Sequence, residues 1–161
     1  TTLNEELRGT MEPRTASALK RLKTVSVLSN AGVPVGVMNA PVIPGLNDHE
    51  IPSIIRAAAE AGARTAGMTM VRLNGAIGQI FEDWLKKNYP NQFEKVLNQI
   101  SAVHGGSISD SKFGRRMSGE GTYAEAIHQL FRSSKKKYFK ERSMPPFDLT
   151  RFRKGGTMSL F

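Results

Sequence analysis

The stretch Val33-Pro34-Val35-Gly36-Val37-Met38-Asn39-Ala40-Pro41-Val42-Ile43-Pro44-Gly45-Leu46-Asn47-Asp48 decides the fold class of this chain. From Val33 to Ala40 it is poor in polar residues and rich in β-branched ones, the pattern of a buried parallel strand. Pro41 is expected to end that strand, because proline has no N–H for a sheet ladder. Pro44 and Gly45 then turn the chain, and Asn47 reads as the N-cap of the next helix. A strand that passes through a Pro/Gly loop into a helix is half of a βα unit. In sheets of such units ligands sit beyond the carboxyl ends of the strands. Asn39 to Asn47 is therefore the first place where a site is expected.

On the N-terminal side, Asn4 to Met11 reads as a short helix with Glu5 and Glu6 near its positive end. Thr15 or Ser17 then caps a second helix with apolar positions at Ala18, Leu22, Val25 and Leu28, stopped by Gly32 and Pro34. On the C-terminal side, Ile51, Ile54, Ile55, Ala58 and Ala59 form one helical face, and Gly62 ends it. Ala66 to Leu73 reads as a second parallel strand. Helix, strand, helix and strand with turn residues at each junction argue for an α/β architecture with a parallel sheet. Beyond Gly75 the pattern turns helical. Ile77, Ile80, Phe81, Trp84 and Leu85 mark one helix, with Trp84 expected in the core. Phe93 to Val103 and Tyr123 to Phe131 mark two more. Between these last two lies Gly105 to Gly121, a Gly/Ser-rich basic stretch long enough to be expected either functional or disordered.

The chain has 161 residues and a net charge of +9. Twelve Lys/Arg against four Asp/Glu fall between Lys112 and Lys154, so the basic character belongs to the C-terminal third. Arg115, Arg116, Lys135, Lys136 and Lys137 are the candidates there for contact with nucleic acid, with Phe113, Tyr123, Tyr138 and Phe139 interleaved. The plainer alternative is a solvated basic face. No run of about 18 apolar residues is present, so neither a transmembrane helix nor a membrane partner is expected. With no cysteine there is no disulfide framework and no thiolate ligand. His49, His104 and His128 are too scattered to suggest a metal site. Two strands and a fragment near Thr1 make a narrow sheet. The expectation is a division into βα units over residues 1–75 and a helical, basic extension over 76–161, together the C-terminal part of a larger α/β domain. A small self-contained α/β domain is the alternative.

Several phrases, in order, then carry a resemblance: Glu12-Pro13-Arg14, Ala31-Gly32-Val33-Pro34-Val35-Gly36-Val37, Ala40-Pro41-Val42-Ile43-Pro44-Gly45-Leu46-Asn47-Asp48, Ala59-Glu60-Ala61-Gly62-Ala63, Arg115-Arg116-Met117-Ser118-Gly119-Glu120-Gly121 and the terminal Leu160-Phe161. Together they resemble the C-terminal half of radical S-adenosylmethionine proteins of the spore photoproduct lyase-like subgroup, often labelled DNA repair photolyases. The resemblance implies a partial (β/α) barrel, S-adenosylmethionine, a four-iron four-sulfur cluster held by a C-x-x-x-C-x-x-C loop, and a cytoplasmic location. This sequence departs from the pattern at that loop, since clusters are held by thiolates and none is present. The missing N-terminal half of the barrel is thus the expected partner, and the chain alone is expected to be inactive.

By the same resemblance, Ile43 and Gly45 match the loop that passes the adenine of the cofactor, and Thr2 a position near its ribose. From their own chemistry, Glu12 and Arg14 are candidates to hold a ribose hydroxyl and a carboxylate respectively, with Asn39 at the end of the opening strand as a further cofactor-side candidate. Each has a simpler alternative: a tight βα turn for Ile43 and Gly45, a capping hydroxyl for Thr2, a surface ion pair for Glu12 and Arg14. Arg72 stands at the end of a buried strand, where a charge is costly unless it is paired or faces a cavity. A cavity-lining role on the cofactor side is expected for it.

Overall fold

Gly36 to Val42 (β1) and Thr65 to Met70 (β2) pair in parallel, joined by a 3-10 turn at Asp48–Glu50 and a helix (α3) over Ile51–Glu60. The structure, a computed structural model, describes residues 2–150. Thr1, Lys154 and the Leu160-Phe161 phrase lie outside them. The expected adjacency of the two strands holds, with Gly36 opposite Thr65 and Asn39 opposite Met68. The fold is mixed α/β, and among the described residues the sheet has two strands.

Pro41 does not end β1. The strand runs on to Val42, which lies opposite Met70, so β1 has one more residue than β2 between Asn39 and Val42. A bulge of that kind takes a residue out of the ladder and so admits a proline. The Ala40–Pro41 peptide is cis. Asn47 also differs from its expected capping role. Its side chain makes no cap bond and turns back into the loop, where Oδ1 accepts from Ile43 N at 2.7 Å and Nδ2 donates to Pro41 O at 3.2 Å.

The remaining elements are α1 (Glu5–Met11), α2 (Ala18–Asn30), α4 (Ala76–Asn88), α5 (Phe93–Val103) and α6 (Thr122–Tyr138). Asn4 caps α1 through Glu6 N and Leu7 N, and Ser17 caps α2 through Lys20 N. α3 buries Ile51, Ile54, Ile55, Ala58 and Ala59, the stripe its spacing implied. With Val42, Ala66 and Met70 of the sheet and Ala124, Ile127 and Phe131 of α6, most of this stripe forms one core. A second core gathers Leu7, Ile43, Leu46, Val71 and Leu73 with Phe81 and Leu85 of α4 and Val96 and Ile100 of α5. Both cores therefore join residues 1–75 to the helical segment that follows.

The two sheet edges are unlike. On β2, Met70 N donates to Met117 O at 2.8 Å and Lys135 Nζ donates to Ala66 O at 2.8 Å. A loop carbonyl and a lysine thus occupy backbone positions that another strand would need. β1 has no strand on its far side among the described residues, and Met38 there is 57% exposed. α2 beside that edge fully buries none of its residues.

The Asn47 clasp gives a direct expectation. Asn47→Ala leaves the buried Ile43 N–H without its acceptor and should lower unfolding free energy by about 1–3 kcal/mol. Chemical denaturation checks it, with Asn47→Asp retaining the acceptor and falling between the two.

Candidate functional site

Beyond the carboxyl ends of both strands lies a cleft of about 410 Å³. Pro41 and Ile43 enter it from the end of β1, and Val71, Arg72 and Leu73 from the end of β2. Met11 and Glu12 close it at the end of α1, and Ile77, Ile80, Phe81 and Trp84 of α4 form its opposite wall. The site was expected at the strand ends, and this cleft opens there. Of Val71 to Leu73, expected to continue the strand, Val71 still donates its N–H to Val42 O at 2.8 Å, and Arg72 and Leu73 turn away into the cleft wall.

Of the seven residues named for the cofactor side, Glu12, Ile43 and Arg72 converge on this cleft. Ile43 is buried. Arg72 is exposed at the rim and makes no hydrogen bond or ion pair among the described residues. Glu12 is already committed, with Arg21 Nη2 at 3.0 Å and the Thr15 hydroxyl at 3.3 Å. Burial pushes its carboxyl up, but the Arg21 hydrogen bond and nearby positive charge, with a smaller part from Thr15, outweigh that and hold it below the usual carboxylate range.

The other four stand elsewhere. Arg14 is exposed and does not line the cleft. Thr2 donates to Glu50 Oε1 at 2.5 Å, while Leu3 N donates to Glu50 Oε2 at 2.6 Å. Thr2 thus fastens the N-terminal segment to the turn before α3 and lines a separate cleft with Val37 and Met38. Gly45 has φ +77°, and a Cβ there would collide with the Gln99 amide, so its open side faces α5 and not the strand ends. Asn39 is buried, and its Nδ2 has no hydrogen-bond partner among the described residues. An unpaired buried donor is costly unless something outside these residues supplies an acceptor.

The α4 wall corrects the expected stripe. Phe81 and Leu85 are buried together with Gly78, whereas Ile77 is 57% and Ile80 66% exposed. Trp84 is half-buried on the cleft wall and not in the core. Its indole N–H donates to Thr10 O at 3.0 Å, and its ring lies 5.6 Å from Phe81 and 5.5 Å from Tyr89. A buried glycine three residues before Phe81 lets α4 approach the Leu73 carbonyl, where a Cβ would come within 3.1 Å.

The basic third contains residues the sequence did not single out. His104 is 1% exposed, and its Nε2 donates to Val71 O at 2.8 Å, at the edge of the cleft. Its Nδ1 lies 3.4 Å from Asp110 Oδ2, too long for a strong hydrogen bond. Arg115 binds the buried Asp110 at 2.7 Å and Glu120 at 2.6 Å. The Gly/Ser-rich loop is thereby latched to the end of β2, and Arg115 is engaged inside the molecule. Lys135 is engaged by Ala66 O. Phe139 is core, and the Tyr123 hydroxyl donates to Asp48 Oδ2 at 2.5 Å. Burial and the Asp48 carboxylate push the Tyr123 phenol up to about 12, so it stays a donor. Arg116, Lys136 and Lys137 make no ion pair among the described residues, and Arg116 lies 5.8 Å over the ring of Phe113, which is 89% exposed.

No group of three or more His, Asp or Glu gathers to hold a metal ion among the described residues, and no helix there is long and apolar enough to cross a membrane. Comparison with known proteins yields no match for this chain among family models, curated proteins or solved structures.

The loop latch has a pH signature. Arg115 and the Lys112 N–H hold the Asp110 carboxyl well below its usual range, against the opposing effect of burial. A depressed carboxyl contributes stability that is fully present above the unfolded value of about 3.9 and is lost as pH falls toward the folded value. Asp110→Asn should therefore lower the melting temperature at pH 7 and differ progressively less from the parent below about pH 4. A constant gap across that range in a calorimetric pH series would contradict the assignment.

Proposed function

We propose that this chain is the C-terminal part of a partial (β/α) barrel from a cytoplasmic radical S-adenosylmethionine enzyme, and that the strand-end cleft belongs to its cofactor and substrate cavity. The observation that carries the reading is the convergence of Ile43 and Arg72, from the ends of two adjacent parallel strands, on one cleft. Ligands of parallel α/β sheets sit at this rim. Ile43 forms the buried apolar floor of the cleft, and Arg72 offers a free guanidinium to an anionic group. The orphaned Asn39 Nδ2 and the open edge of β1 fit a chain that further strands complete. The iron–sulfur cluster does not fit the residues present, since the chain has no cysteine. Its ligands belong to the missing N-terminal half, and no catalytic step is assigned to this chain alone.

The test is to read the parent frame upstream of Thr1, express the longer protein and reconstitute it with iron and sulfide without oxygen. A three-cysteine loop, and S-adenosylmethionine binding weakened at least about tenfold by Arg72→Gln, are expected. An upstream frame without such a loop would overturn the reading.

A second reading, a non-catalytic basic module for nucleic acid, is favoured by the exposed Phe113–Arg116 pair and the exposed Lys136 and Lys137. An exposed ring can stack a base while the cations neutralise phosphates. Replacing Phe113, Arg116, Lys136 and Lys137 with alanine should then weaken binding to single-stranded DNA and lower its salt dependence, by a log–log slope of about 0.7 for each phosphate no longer neutralised. Equal binding and slope before and after replacement would remove it.

A further inference from the structure

We infer that the α4 side of the strand-end cleft is a site for a planar aromatic ligand bearing one anionic group. This rests on the proposed role of the cleft as a ligand cavity and names what its α4 side takes. Three observations meet there. Ile77 and Ile80 stand largely exposed on the wall although the helix has a buried face of its own at Phe81 and Leu85. Trp84 continues that wall, its indole fixed by the Thr10 carbonyl and flanked by Phe81 and Tyr89. Arg72 faces the same space without a carboxylate among the described residues, while the other charged lining residue, Glu12, is neutralised by Arg21.

The physical argument is one of complementarity. Two isoleucines and a braced indole make a flat apolar surface whose desolvation favours a ring system. The cleft volume of about 410 Å³ lies in the range that holds a small organic molecule. A single uncommitted guanidinium beside such a surface selects an anion and disfavours a cation, and its fork of donors suits a carboxylate, sulfonate or phosphate. The charge sets the orientation, with the anionic group at the β2 end and the ring against α4.

Trp84 is the only tryptophan, so the site reports its own occupancy. The probes are anilinonaphthalene sulfonate, an aromatic anion, and N-phenylnaphthylamine, its uncharged counterpart, each titrated against the full chain. The sulfonate should quench Trp84 and gain emission by energy transfer. Arg72→Gln should weaken the sulfonate at least about tenfold and leave the neutral dye unchanged. Ile80→Asp should weaken both, with circular dichroism confirming that the exposed substitution leaves the fold intact. Equal affinity of the two dyes for the parent chain, or an unchanged sulfonate affinity in Arg72→Gln, would overturn the inference. S-adenosylmethionine, titrated into the reconstituted longer protein, separates the two proposals. Cofactor binding without selective dye binding sinks this inference alone, and selective dye binding without cofactor binding sinks the enzyme reading alone.

Discussion

The side chain of Asn47 is the contact on which the arrangement around the strand ends depends. The loop from Pro41 to Gly45 contains two prolines and so has few backbone donors to satisfy its own carbonyls. A carboxamide can accept and donate at once. Asn47 does both, accepting from Ile43 and donating to Pro41 from a position that is itself buried. With the loop fixed from inside, Val42 turns into the core beneath α3 and α6 while the next residue, Ile43, turns into the core between α4 and α5. A single residue step thus divides the two cores, and the cleft opens on the second of them.

The end of β2 is held in a comparable way. Its carbonyl at Val71 is taken by His104, a buried ring that also faces Asp110, and Asp110 holds Arg115. Each strand therefore finishes on a buried polar side chain from a later part of the chain. Both are needed because a strand that leaves a sheet carries unpaired backbone groups, and a buried one without a partner is costly. The consequence for function is that Arg72 follows a carbonyl held by His104 and is presented to the cleft from that fixed point.

The same tertiary contacts redistribute the charge of the molecule. Lys135 and Arg115 look alike in a count of basic residues, yet one blocks the edge of β2 and the other is enclosed by two carboxylates. Arg115, held between two carboxylates, adds no net positive charge at long range, whereas Lys135 keeps its charge beside a neutral carbonyl. The cations without an ion pair among the described residues include Arg116, Lys136 and Lys137.

Local signals in the chain suffice for the βαβ order and for most of the helix ends, though not for the cap at Asn47. The stripe at Ile51, Ile54, Ile55 and Ala58 and the stop at Gly32 are local signals that formed where the residues said. Of the two caps offered for α2 the structure took Ser17, whereas the strands shifted to Gly36–Val42 and Thr65–Met70. The sequence also put Ile43 and Arg72 at the ends of the two strands, where the structure has a cleft. The tertiary structure decided what those signals leave open. Periodicity on α4 says that Ile77, Ile80 and Trp84 lie near Phe81 and Leu85, but not which of them meets a neighbour. Packing against α5 and the strand ends chose Phe81 and Leu85 and left the others to the cleft. Thr2 with Glu50, Tyr123 with Asp48 and Lys135 with Ala66 are separated by 48, 75 and 69 residues. A hydrogen bond between such partners leaves no periodic trace in the chain, because only the packing of whole elements brings them within reach.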